Sequence, residues 1–302
     1  MPMAPPTAPP LAPPARLGDN LLPALVLGVI GFVVVAIGAG FFAKGRISAL
    51  YGQAAQATTT AIPAARTVIR ERAASRSDVA AVVTRVQINE TSSDNVYQQM
   101  VSYTRGTMEM SALVAEALGA DSSEVAATRR AAETAEVGTD TVHQQKAVYL
   151  EGMMHLLALA ARSAGVPRGD VESMLARVRT NDVGTDTVHQ QSANYCNGCL
   201  RFAEMIARRR SAPVAEVSVV MADAELADVR ADTVHQQVVG RLTALTRMLA
   251  IVAESRGASS ASVSAVLGDM QTADIAADTV FQQEVGRLSA TLKLLALVAT
   301  AG

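Results

Sequence analysis

The sequence predicts an all-α protein in which a single amino-terminal transmembrane helix is followed by tandem 46-residue helical hairpins, arranged as an α-solenoid or an elongated helical bundle. Three observations carry this expectation. Residues 21–43 form an uncharged run of 23 residues, the phrase DTVHQQ or a near variant recurs five times at one fixed interval, and half of the 302 residues are hydrophobic while only 3% are aromatic. An aliphatic, Ala-rich composition favours helices over sheets.

The first 20 residues contain PPTAPPLAPPAR. Repeated prolines remove backbone donors and favour extended chain, so 1–20 reads as a disordered tail. The run LLPALVLGVIGFVVVAIGAGFFA that follows, at about 1.5 Å per residue, is long enough to cross a hydrocarbon core of roughly 30 Å. A cleaved signal peptide has an apolar region of about 7–15 residues, which this run exceeds. Lys44, Arg46, Arg66, Arg70 and Arg72 follow the run and only Arg16 precedes it. That bias places the amino terminus outside a cell inner membrane and the body in the cytoplasm. Ala24/Gly28 and Ala36/Gly40 are small-residue pairs of the kind that bring two spans together, a signal for a homo-oligomer.

The body is periodic. Asp94, Asp140, Asp186, Asp232 and Asp278 head the five phrases, 46 residues apart without insertion. One period earlier, Tyr51 and Gln53 match Tyr97 and Gln99, so 44–93 reads as a degenerate membrane-proximal copy and 94–302 as the tandem array. Val234, Val238, Leu242, Leu245, Leu249 and Val252 are spaced as one helical stripe, so each phrase opens a long helix with its Asp as the expected cap. Gly119, Gly165, Ser211 and Gly257 share the column where the long helix should stop. A short helix follows, opened by Asp121 with Glu124 or Ser75 with Asp78 at capping-box spacing. One hairpin cannot bury both faces, but stacked copies can, and the final long helix is expected to cap the stack. The repeat length resembles the HEAT and armadillo class, without their residue signatures.

The candidate chemistry is sparse. His143, His189 and His235 share a column with Tyr97 and Phe281, and neither Tyr nor Phe supplies an imidazole nitrogen, so the column reads as a flat packing slot rather than a metal or haem site. The paired glutamines, Gln98/Gln99 through Gln282/Gln283, suit a hydrogen-bond ladder between copies, and recent duplication explains them equally well. Cys196 and Cys199 form a CNGC with no second pair and no following His, as expected of small buried side chains. The acidic column Glu90, Glu136, Asp182, Asp228 and Asp274 is best explained by helix capping. No phosphate loop, nucleophile elbow or catalytic carboxylate pair occurs in a suitable context, so no enzyme and no cofactor is expected. A net charge of −2 supplies no field for nucleic acid.

One column suggests contact with a surface. His155, Arg201, Arg247 and Lys293 lie 46 apart, about 180° around the helix from the apolar stripe, and Arg208, Arg209 and Arg210 cluster nearby. Stacking would align them into a basic ridge facing the anionic inner leaflet, where each base is worth about 1 kcal/mol. The anchor Leu21–Ala43 beside a helical body resembles, in architecture, the magnetosome liposome-tubulation proteins, which bend membranes. The resemblance implies lipid binding, tubulation and a magnetosome location. The expected function is therefore a membrane-anchored scaffold that shapes or organises a bacterial inner membrane. The alternatives are an adaptor that recruits a cytoplasmic protein partner, or a signalling or sensor subunit.

Overall fold

Regular structure in the body comes from one local device repeated five times. The structure, a computed structural model, describes residues 71–301, all within the unit Ile47–Gly302. The expected tail, the transmembrane helix at 21–43 and the part of the proximal copy before residue 71 lie outside the described residues. Among the described residues, no helix is long and apolar enough to cross a membrane.

Short and long helices alternate through the described residues: α1 (Arg76–Thr91), α2 (Val96–Ala117), α3 (Ser122–Val137), α4 (Val142–Ser163), α5 (Arg168–Val183), α6 (Val188–Arg209), α7 (Val214–Arg230), α8 (Val234–Ser255), α9 (Ser260–Ile275) and α10 (Val280–Thr300). The phrase is a complete helix start. Thr141, Thr187, Thr233 and Thr279 are the caps, each accepting from the backbone of the first Gln of its pair while that Gln side chain returns to the cap's own N–H. Asn95 caps α2 in the first copy. Such a cap is worth about 0.5–2 kcal/mol.

The expected role of the Asp is therefore corrected by one position. Asp140 precedes the cap, and its N–H donates to Gln144 Oε1 at 2.8 Å. Threonine wins because its short hydroxyl sits at the residue whose backbone is still extended. The same bonds tie the first Gln of each pair to its own copy, so these side chains do not form a ladder between copies.

The short helices begin at Ser75, Asp121 and Ser259 with side-chain caps, as the spacing predicts for the first two, and at Pro167 and Pro213 without one. The long helices stop where expected. Gly119, Gly165 and Gly257 have φ of 91°, 93° and 98°, and Ser211 has 58°. A side chain is strained in that left-handed region, which is why three of these four copies use glycine.

The array does not stay open. Each long helix packs on the next, α2 on α4, α4 on α6, α6 on α8 and α8 on α10, and α10 then packs on α2. Five parallel helices thus close a ring, with each short helix laid outside against the long helix that follows it. The closing contact has the form of the internal ones. A Cβ on Gly152 would meet Met108 Sδ at 2.9 Å, one on Gly198 would meet Met154 Sδ at 2.5 Å, and one on Gly106 would meet Leu292 Cδ1 at 3.6 Å. In all three pairs, the facing residue occupies the same column of the preceding helix.

The final helix is therefore an inner stave rather than an exposed cap. The short helix α1, assigned from sequence to the proximal copy, pairs with α2 as every other short helix pairs with its long one. Tandem units run short-then-long, and five of them complete the ring.

The interior follows from the stripe. Val238, Leu242, Leu245, Leu249 and Val252 are all buried, as are their counterparts Glu284, Leu288, Thr291, Leu295 and Val298. Their spacing alternates four and three, the 3.5-residue period that wraps parallel helices around a shared axis.

Candidate binding face

All five phrases lie at the same end of the ring, and their aromatic column meets there. Tyr97, His143, His189, His235 and Phe281 contact one another in a closed cycle, with successive ring centroids 5.4, 4.6, 4.5, 4.8 and 5.0 Å apart. Every pair is edge to face, the arrangement the aromatic quadrupole favours. These rings are partly exposed and so form the mouth of the axis. The packing slot expected from sequence is real, and it is also a surface.

The three imidazoles are not fully satisfied. Nδ1 of His143, His189 and His235 is buried without a hydrogen-bond partner. Burial holds each of these histidines below its ordinary pKa, with Lys146 and another histidine of the cycle adding to the effect and Glu284 opposing it. Among the described residues, no group of three or more His, Cys, Asp or Glu is placed to hold a metal ion.

One layer below the aromatic cycle lie Met100, Lys146, Ser192, Val238 and Glu284, all buried. Lys146 Nζ donates to Glu284 Oε1 at 2.6 Å, both side chains being 1% exposed. The pair joins α4 to α10, helices that do not adjoin in the ring, so it crosses the interior. Glu284 Oε2 has no partner. This pair was not anticipated, yet a signal existed: Lys146 and Glu284 are the only charges in an otherwise uncharged column of the buried stripe.

Around the mouth stand two rims. Asp94, Asp140, Asp186, Asp232 and Asp278 are all exposed, and no Lys or Arg occurs within any of the five phrases. Just outside them, the carboxyl ends of four short helices expose aliphatic side chains: Val137 at 85%, Val183 at 76%, Val229 at 84% and Ile275 at 89%. The other end of the ring is strapped. Ala74 N–H donates to Ala299 O at 2.7 Å, Arg72 N–H donates to Ala117 O at 3.1 Å, and Glu71 takes Arg210 at 2.7 Å and Arg256 at 3.3 Å. Four of the five long helices are thus joined at that end through residues 71–74.

The basic column expected from sequence lies elsewhere, and it is not a free ridge. His155 is enclosed, with Glu151 at 3.9 Å, and burial together with Arg179 pushes its pKa down to about 3. Arg201 pairs with Glu204 at 3.2 Å and Glu225 at 3.4 Å, Arg247 with Asp223 at 2.5 Å, and Lys293 with Asp269 at 2.8 Å. In the first copy the charges are exchanged, Glu109 accepting from Arg85 at 2.6 Å. The column does point away from the axis, but a second layer of helices covers that side. Of the expected cluster, Arg208 pairs with Glu204 at 2.9 Å and Arg210 with Glu71, whereas Arg209 is exposed and approaches Gly165.

The acidic column also differs from expectation. Glu90 accepts from Tyr103 Oη at 2.6 Å, Asp228 pairs with Arg241 at 2.9 Å and Asp274 with Arg287 at 2.7 Å. Each clamps the end of a short helix to the middle of the next long one, so these acids act across the hairpin rather than as caps. Cys196 and Cys199 are free and buried, as expected. Burial raises both thiols, Cys196 to about 12, which leaves them protonated.

No protein-family model, curated protein or solved structure matches this chain.

Proposed function

We propose that the protein is a membrane-tethered adaptor whose helical ring presents the phrase-bearing end to a protein partner, without catalysis. The observation that carries this is the rim of Val137, Val183, Val229 and Ile275, large aliphatic side chains left in water at the same position of four of the five repeats, on one face. Exposed apolar groups gathered on one face and bordered by polar residues are a mark of interaction surfaces. Five carboxylates inside that rim disfavour an anionic bilayer as the occupant and favour a basic protein surface. The tether is the span expected at 21–43, with the ring in the cytoplasm.

The membrane-shaping alternative draws on the column His155, Arg201, Arg247 and Lys293. Burial of the first and carboxylate pairing of the other three leave little charge for lipid. Two measurements test the choice. Full-length chain reconstituted into phosphatidylglycerol vesicles should leave them spherical by electron microscopy, and tubules would overturn the adaptor. A photo-cross-linker at Val183 in cells should give one discrete adduct. That adduct should be lost when the five rim aspartates become Asn and kept when Arg201, Arg247 and Lys293 become Gln; the reverse pattern would refute the assignment of the face.

A further inference from the structure

We propose that the aromatic mouth of the ring receives a primary ammonium group, that of a Lys side chain on the docking partner. The proposal rests on the adaptor function and names the chemistry at the centre of its face.

The geometry suits a small cation on the axis. Five rings whose centroids are 4.5 to 5.4 Å from their neighbours form a pentagon. Such a pentagon sets each centroid about 4 Å from its centre, inside the roughly 6 Å reach of a cation–π contact. A single nitrogen fits there. Methyl groups around it would come well inside the 3.5–4.0 Å at which carbon atoms rest against each other, so a trimethylammonium is excluded.

The polar groups agree. Three buried Nδ1 atoms lack partners, and buried polar atoms in native proteins seldom do. An ammonium has three N–H donors and no acceptor, so neutral imidazoles whose proton is on Nε2 can accept from it at Nδ1. They do so two at a time, because three adjacent corners of a pentagon span a narrower arc than three N–H bonds, while rings that turn their faces inward supply the cation–π contact. Because burial depresses the histidines, they are uncharged at neutral pH and do not repel a cation.

Charge at longer range points the same way. Five exposed Asp carboxylates surround the mouth, with exposed Arg230 the base nearest to them in sequence. Five helix amino termini oppose them with about half a positive charge each, roughly half of the carboxylate total. Lys146 below is compensated by Glu284 at 2.6 Å. The sum is negative, and it draws a basic side chain toward the mouth.

The test needs no partner, so its failure is separable from failure of the adaptor function. The chain has only four histidines. In full-length protein carrying ¹³C-labelled His in an uncharged detergent at neutral pH, n-butylammonium chloride should shift three imidazole signals together. The shift should saturate within roughly the millimolar range. His155, enclosed elsewhere, should not move, which also shows that the fold is intact. Butyltrimethylammonium and sodium butyrate should shift nothing. Phe281→Leu should weaken butylammonium binding about two- to fivefold, the size of one exposed cation–π contact. Absence of a saturable shift, an equal shift from butyrate or from the trimethylated amine, or a parallel movement of His155 would each overturn the proposal.

Discussion

Removing one partner of the ion pair that crosses the ring should be among the most damaging single changes in the protein. Lys146 and Glu284 are both 1% exposed and 2.6 Å apart, so a lone survivor would hold an uncompensated buried charge. Breaking such a pair from one side costs about 3–5 kcal/mol, whereas replacing both charges with apolar groups of similar volume is near neutral or stabilising. The chain contains its own controls, because the same position is Met100 in the first copy and Val238 in the fourth, both buried. Lys146→Met and Glu284→Met should each destabilise by that amount, and the double variant should recover most of it. At about 2–4 °C per kcal/mol for a domain of this size, each single variant should melt some 6–20 °C lower when helix content of the full-length protein is followed during heating. A double variant no more stable than the worse single one would refute the argument. So would single variants within about 1 kcal/mol of the parent, since the pair would then not be buried between distant copies.

Four further outcomes follow from the same structure. Ser211→Gly should stabilise by about 1 kcal/mol in denaturant unfolding, since Ser211 is the only described non-glycine residue with a left-handed φ, whereas Gly257→Ala should destabilise by a similar amount. Thr187→Ala should cost about 0.5–2 kcal/mol in the same assay by removing a capping hydroxyl. Cys196 and Cys199 should resist iodoacetamide in the native protein and react on unfolding, as read by mass, because burial raises both thiols. The pair Glu151 and His155 should bound the pH range of stability. Burial raises Glu151 from 4.5 to about 8, so its contribution is present below 4.5 and lost as pH rises to 8; His155 falls from 6.5 to about 3, so its contribution is present above 6.5 and lost as pH falls to 3. The opposite slopes cancel between 4.5 and 6.5. Between 6.5 and 8 the parent should lose about 2 kcal/mol, a loss that Glu151→Gln removes, as midpoints of urea unfolding would show.

Much of the fold was legible because it is local. Phrase, stripe and stop column each specify a helix start, a buried face or a helix end within a few residues, and all recur at the interval of 46. The shift of the cap from Asp to Thr was missed because both residues are good caps and adjoin in the phrase, so spacing alone does not choose between them. The carboxylate partners of the basic column were missed for a different reason. Angular position around one helix was correct for Arg247 and Lys293, but the side facing away from the interior is where the outer helix lies. Asp223 and Asp269, each 24 residues before the base it meets, carry the missing information. Covariation within the chain was the available signal, since Glu109 with Arg85 exchanges the charges of that pair. The aromatic column was correctly read as flat packing. Its role as a mouth needed the ring.

Ring closure itself was out of reach of periodicity. Identical neighbour contacts specify a rotation per repeat, and a small change in that rotation separates an open stack from a closed five-membered one without altering any residue within a copy. What closes this ring must therefore be written where the copies differ. Two such places carry charges that join different copies. The second and fifth copies carry Lys146 and Glu284 where the others carry Met, Ser and Val, a match that is useful only if those copies face each other across an interior. Arg256 replaces the leucine and alanine of the first two copies, and it donates to Val298 O at 2.8 Å and to Ala301 O at 2.6 Å, binding the fourth copy to the end of the fifth. Its third contact is Glu71, the residue that also takes Arg210 from the third copy. Lys146 with Glu284, and Glu71 with Arg210 and Arg256, would lack these partners in an open array and are paired once the fifth copy reaches the first. The departures from the repeat encode closure, while the repeat encodes the staves.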